Sequence, residues 1–173
     1  MKREVNIWDY AGQIMESIGK GILLTTQAGG KTNSMTIGWG FIGVQWAKPV
    51  FVVLVRESRF TKKLLEENGQ FTVNVPLGKC DPNILAVCGT KSGRDMDKFA
   101  ELGLTAEPGL TVEVPAIREL PLTIECRVIY KQDQDPAAID PAIDARFYAK
   151  GTANEGDYHT AYYGEITAAY IVE

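Results

Sequence analysis

Behind Pro49 the chain runs Val-Phe-Val-Val-Leu-Val and stops at Arg56. A proline-led run of β-branched and aromatic residues this dense reads as a buried strand. Branched side chains lose rotamer freedom in a helix and pack well on a pleated surface. That strand limits what can precede it. Gly38, Gly40 and Gly43 in NSMTIGWGFIG spell out G-x-G-x-x-G, but a dinucleotide-binding turn needs a helix opening on its glycines, and here the chain continues to Pro49 and the strand. A doubly wound nucleotide fold is therefore rejected. Thr36 to Ile42 reads as a strand of its own, whose glycines mark either a bend or bulge, or a close approach of a ligand to the backbone.

The remaining segments extend the β reading. Trp8, Ala11, Ile14, Met15 and Ile18 fall at helical spacing, with Gly19 as the stop. GILLTT and TNSMTIGWGF flank AGGK, a hairpin with Gly29 and Gly30 at its tip. Residues 50–56 are the third strand. A helix from Ser58 to about Asn68 turns Leu64 and Leu65 inward and ends at Gly69, and FTVNVP follows as a fourth strand. From Asp81 to Leu102 the signs are helical. LTVEV, LTIECRVIYK, ARFYAKGTA and YGEITAAYIVE read as strands, and QDQDPAAIDPAID as a surface loop. The chain is thus mainly β with short α insertions: one domain over residues 1–173, an antiparallel barrel rather than a βαβ protein.

Composition removes several function classes. A net charge of −4 offers no basic face for nucleic acid. Three cysteines without zinc spacing and a single histidine argue against a transition-metal site. The N-terminus has no signal-peptide core and no segment is long enough to span a membrane, so a soluble protein of a reducing compartment, the cytoplasm, is expected.

The stretch RESRFTKKLLEENG, residues 56–69, carries the most chemistry. Ser58 is placed to cap the helix. Arg56, Arg59, Lys62 and Lys63 then crowd the positive end of the helix dipole with only Glu57 to offset them, at a cost of ~0.3–1 kcal/mol for each misplaced charge. A bound anion reverses that sign: free amides, the Ser58 and Thr61 hydroxyls and two arginines form a phosphate site. The alternative is a plain cap with solvated lysines. Asn33, Ser34 and Thr36, flanking Met35, either lie on the exposed start of a strand or meet the edge of a planar heterocycle. His159 among Tyr158, Tyr162 and Tyr163 is either packed or chemical, and Cys88 in AVCGTKSGRD reads as a buried helix cysteine.

Taken in order, NSMTIGW, RESRFT with NGQFTVNVP, CGTKSGRDMDKF and YHTAYYGEI resemble the flavin reductase-like family of FMN-binding split barrels, most closely its flavoredoxin-like branch. The resemblance runs from about residue 20 to 172. It implies an antiparallel Greek-key split barrel that binds FMN at the two-fold interface of a homodimer. Asn33, Ser34, Met35 and Thr36 would then lie along the isoalloxazine and ribityl chain. Arg56, Ser58, Arg59 and Thr61 would take the phosphate. Cys88, Lys91, Ser92 and Lys98 would help close the site, and His159 would stand near the face where a nicotinamide stacks. Trp39 or Trp46 would border the pocket.

The function implied is an FMN-dependent oxidoreductase passing electrons from NAD(P)H through the flavin to free flavin, ferric iron or a redox protein. An alternative is a flavoredoxin-type carrier with no NAD(P)H site of its own. A relative of pyridoxamine phosphate oxidase and a flavin-free binding module are weaker alternatives on the same barrel.

Overall fold

The structure is a computed structural model describing residues 1–173. Its elements are β1 (Lys2–Glu4), α1 (Ala11–Ile18), β2 (Ile22–Ala28), β3 (Lys31–Ile37), β4 (Gly40–Gln45), β5 (Lys48–Arg56), α2 (Phe60–Asn68), β6 (Gln70–Val75), α3 (Pro82–Thr90), α4 (Lys98–Leu102), β7 (Ala106–Glu107), β8 (Ala116–Ile117), β9 (Leu122–Asp133), α5 (Pro141–Phe147) and β10 (His159–Val172). The main sheet is antiparallel throughout, in the order β3-β2-β6-β9-β10-β5-β4, with β1 added to the end of β10. Its two edges, β3 and β4, are consecutive in the chain and do not pair with each other. The chain crosses that opening at Gly38–Trp39, and there the barrel is split.

Strand alternation sorts the side chains. Ile22, Leu24, Phe51, Val53, Val55, Phe71, Val73, Ile124 and Cys126 fill the interior. One residue out of step, Leu23 packs under Ile84 and Cys88 of α3 and against Leu104, Ile117 and Leu120. Thr25, Ser34, Thr72, Asn74 and Thr123 share the outward side as a buried polar layer. Thr25 bonds Ser34 at 2.7 Å and Asn74 at 3.2 Å, and Asn74 donates to Thr123 at 3.1 Å. Gly164 of β10 is demanded by packing, because a Cβ there would stand 2.4 Å from Phe71 Cζ and 2.7 Å from Cys126 Cβ.

Several sequence expectations hold: the strand behind Pro49, the inward Leu64 and Leu65, the Gly29–Gly30 turn, and Gly69 as a left-handed helix stop with φ 68°. Others do not. The strand expected over Thr36–Ile42 is broken at Gly38–Trp39, because the chain changes edge there. The hairpin joining β4 to β5 turns at Trp46 and Ala47, with φ 52° and 57°. Neither residue type signals that turn. Gly40 serves β5 and not a ligand: a Cβ would lie 2.7 Å from Val52 O.

LTVEV is not a strand. The amides of Leu110 and Thr111 bond the Glu125 carboxylate, each at 2.6 Å, so the segment is a strap laid across β9. ARFYAKGTA is not a strand either, and the expected surface loop before it is partly helical. Asp140 caps the amides of Ala142 and Ile143, Pro141 takes the first helical position, and α5 follows.

Candidate functional site

The start of α2 faces β3 across the mouth of the barrel. The residue flanking the helix is Arg59, whose side chain makes no capping bond. Ser58, expected as the cap, is turned away: its N–H and hydroxyl both donate to Asp157, at 2.9 and 2.5 Å. The first-turn amides of α2 therefore meet no side-chain acceptor. Thr61 accepts from Asn33 Nδ2 at 2.8 Å, which leaves the threonine hydroxyl proton free to donate.

Around this helix start lies a cavity of about 210 Å³ lined by Asn33, Met35, Arg59, Thr61, Ser92 and Lys98 among others. Its charge is unbalanced. The Arg59 Nε is buried and unpartnered, and burial and then Arg56 lower its pKa from the ordinary value. Lys98 is 4% exposed, and its Nζ donates to the carbonyls of Ser34 and Cys88 at 2.7 and 3.0 Å. Neither cation forms an ion pair, although Asp157 partly offsets the charge of Arg59, and burial pushes the Lys98 pKa down. A buried lysine and a half-buried arginine without an ion-pair partner are costly unless an anion joins them. Gly93 keeps the wall thin, since a Cβ there would sit 2.1 Å from Asn33 Oδ1.

A second cavity of about 160 Å³ lies beside the first, lined by Met35, Thr36, Ile37, Gly38, Trp39, Leu54, Arg56, Arg59, Asn154 and His159. Met35 and Arg59 belong to both. Trp39, at the split, lies 4.8 Å from His159 between ring centroids. Trp46 is instead on the far hairpin against Tyr130. His159 is 7% exposed, and burial followed by the charge of Arg56 lowers its pKa to about 4.

The expected residues thus divide. Asn33, Met35, Ser58, Arg59, Thr61, Lys91, Ser92 and Lys98 meet at the first cavity, although the Ser58 donors are spent on Asp157. Thr36, Arg56 and His159 meet at the second. Arg56 is held by Asn154 at 2.7 Å and lies 3.4 Å from Asp157. Ser34 lines neither cavity with its side chain, and Cys88 is buried against Leu23 and Ile84 with its thiol pKa raised by burial; both contribute a carbonyl to Lys98. Sequence reasoning missed Gly93, Asn154, Asp157 and the pair Gln134 and Tyr148 behind His159. Asn154, Asp157, Gln134 and Tyr148 lie in loops or far apart in sequence with no motif to flag them, whereas Gly93 stands inside CGTKSGRDMDKF as a backbone position without a chemical side chain.

An antiparallel split barrel with a desolvated cationic pocket at its mouth defines a class of protein. The chain belongs to the flavin reductase-like domain family, whose model matches residues 15–173. It is similar to the flavoredoxin of Desulfovibrio vulgaris (Miyazaki F), with 27% identity, a TM-score of 0.66, and 88% of this chain and 69% of that one covered. It is also similar to a flavoredoxin from Methanosarcina acetivorans, at 28% identity and a TM-score of 0.65, covering 88% of this chain and 68% of that one. An uncharacterised protein of Archaeoglobus fulgidus is 33% identical over 99 residues, covering 57% of this chain and 55% of that protein. The chain thus spans about half the length of that relative. No helix is long and apolar enough to cross a membrane.

Proposed function

We propose that this protein binds FMN, with the phosphate in the cavity of Arg59, Thr61, Ser92 and Lys98 and the ring toward Met35, Thr36 and His159. The observation that carries the reading is the buried, unpartnered Arg59 Nε beside an uncapped helix start and the buried Lys98. That donor set suits a phosphate dianion. Asn33, Met35 and Thr36 form the strand side of the site, and Arg59 and Met35 join the two cavities. Bound there, the flavin supplies hydride and single-electron transfer. The chain binds it, orients it, and keeps Trp39 and His159 at the open face.

In this reading the protein is an oxidoreductase taking electrons from NADH or NADPH and passing them to free flavin, ferric iron or a redox protein. The likeness to two flavoredoxins favours a second reading, an FMN electron carrier with no nicotinamide site of its own. A homodimer with FMN at its interface completes the proposal. Trp46 and Phe41, 58% and 45% exposed, and the ring pairs Trp46–Tyr130 and Tyr130–Tyr163 give β4, β9 and β10 an apolar outer face that a second copy would cover.

The test is anaerobic absorbance of the protein loaded with FMN. Rapid bleaching of the flavin band by NADH or NADPH supports the reductase. Bleaching by dithionite alone supports the carrier. Failure to bind FMN while the protein is folded overturns both readings.

A further inference from the structure

His159 is held from behind by two residues of the segment joining β9 to β10. Its backbone N–H donates to Gln134 Oε1 at 2.9 Å, and the Gln134 N–H donates back to the His159 carbonyl at 3.0 Å. The hydroxyl of Tyr148 lies 3.0 Å from the same Gln134 Oε1 and 2.8 Å from His159 Nδ1. The proton positions follow by elimination. A backbone N–H only donates, so the atom of Gln134 facing it is the oxygen and not the amide nitrogen. That oxygen only accepts, so Tyr148 donates its hydroxyl proton to Gln134. The Tyr148 oxygen is then left as an acceptor, and the only proton that can satisfy it is one on His159 Nδ1.

We infer that Gln134 and Tyr148 are positioning residues that fix His159 as the Nδ1–H tautomer, leaving Nε2 as a hydrogen-bond acceptor for an N–H or O–H group of whatever ligand fills the cavity beside Trp39. Nδ1 is turned to Tyr148, which does not line that cavity, whereas His159 does. Nε2 has no partner within the chain. The groups around the ring keep it neutral at pH 7. Burial and Arg56 of β5 oppose a positive imidazole, Arg59 at the start of α2 adds to them, and Asp157 of the following loop only partly offsets them. His159 therefore accepts a hydrogen bond from the ligand and does not give one. The assignment holds whether or not the ligand is a flavin.

The chain has a single histidine, so its ring nitrogens can be observed without overlap. The experiment is a long-range proton–nitrogen correlation spectrum of the full-length, histidine-labelled protein at pH 7. Nδ1 is expected at the position of a protonated, pyrrole-type nitrogen and Nε2 at that of an unprotonated, pyridine-type one. Two variants reach the opposite tautomer by different routes. Tyr148→Phe removes the acceptor for Nδ1–H. Gln134→Leu frees the Tyr148 proton to turn to Nδ1. Each is expected to move Nε2 to the pyrrole-type position, and two independent routes guard against one variant failing to fold. A wild-type spectrum with a protonated Nε2, or folded variants of both kinds with the wild-type spectrum, would overturn the inference. A packing role alone for Tyr148 and Gln134 would not exchange the two nitrogen positions.

Discussion

The carboxylate of Asp157 accepts both the backbone N–H and the hydroxyl of Ser58, at 2.9 and 2.5 Å, while standing 3.4 Å from Arg56. A negative group thereby holds two residues that the sequence offers to an anion, at the edge of the cationic cavity. It orders the end of β5 and opposes the charge that the cavity collects. Arg59, which has no such partner, is left as the free guanidinium of the site.

Asp157→Asn keeps an oxygen acceptor for the Ser58 amide and removes the charge. FMN affinity is expected to rise about threefold to tenfold at low salt, the ~1 kcal/mol that one nearby charge is worth at a partly solvated site. Riboflavin, which lacks the phosphate, should bind as before. Fluorescence quenching titrations of both ligands measure this, and equal FMN affinities in variant and wild type would show that Asp157 does not oppose the anion.

Arg59→Ala separates binding from stability. Loss of the unpartnered guanidinium should weaken FMN at least tenfold, about 1.4 kcal/mol of charge-assisted bonding. The ligand-free protein should melt no lower than wild type, because the change also removes an uncompensated, partly buried charge. Calorimetry supplies both numbers. Unchanged affinity would move the phosphate elsewhere.

Gly93→Ala probes the cavity wall. The added methyl falls 2.1 Å from Asn33 Oδ1 and 2.8 Å from Phe60 Cδ1, so Asn33 must give up its bond to Thr61. A stability loss of about 1–3 kcal/mol is expected. FMN binding should weaken as well, because Asn33 lines the phosphate cavity. A variant with wild-type melting and affinity would show that this wall is soft.

His159 makes stability fall with acid. Its folded pKa is about 4 against 6.5 unfolded, so between those values the unfolded chain binds a proton that the folded chain rejects. The contribution is fully present above about pH 6.5 and is lost as pH drops toward 4. Between pH 7 and 5.5 it amounts to about 1 kcal/mol. Urea unfolding at the two pH values should show this difference in wild type and lose most of it in His159→Gln. An equal difference in both proteins would assign the acid sensitivity to other groups.

Local chemistry made much of the frame legible in the chain itself. Pro49 with its β-branched run, the glycine turns at Gly29–Gly30 and Gly69, and the alternating β6 and β9 carry their structure in neighbours a few residues away. The crowd of cations at the start of α2 is legible as well, but the structure pairs Arg56 with Asp157 and Lys62 with Glu57 and Glu66, which the sequence did not show. Ser58 departs from its expected capping role for the opposite reason. Its cap competes with Asp157, a residue about a hundred positions along the chain, and the carboxylate wins both donors. The strap at Leu110–Thr111 repeats the lesson, since Glu125 takes the amides that a strand partner would have used.

The sequence by itself determined the strands, the turns that glycine must make, and the charges gathered at one helix start, all set by dihedral preference and short-range electrostatics. Only the tertiary structure decided which of those charges remain unpaired. Pairing depends on where β10 returns along β5, bringing Asp157 to Ser58 and Arg56 and bringing Gln134 and Tyr148 to His159. Whether a polar group is free to meet a ligand is a property of everything packed around it, and most of those neighbours are distant in the chain.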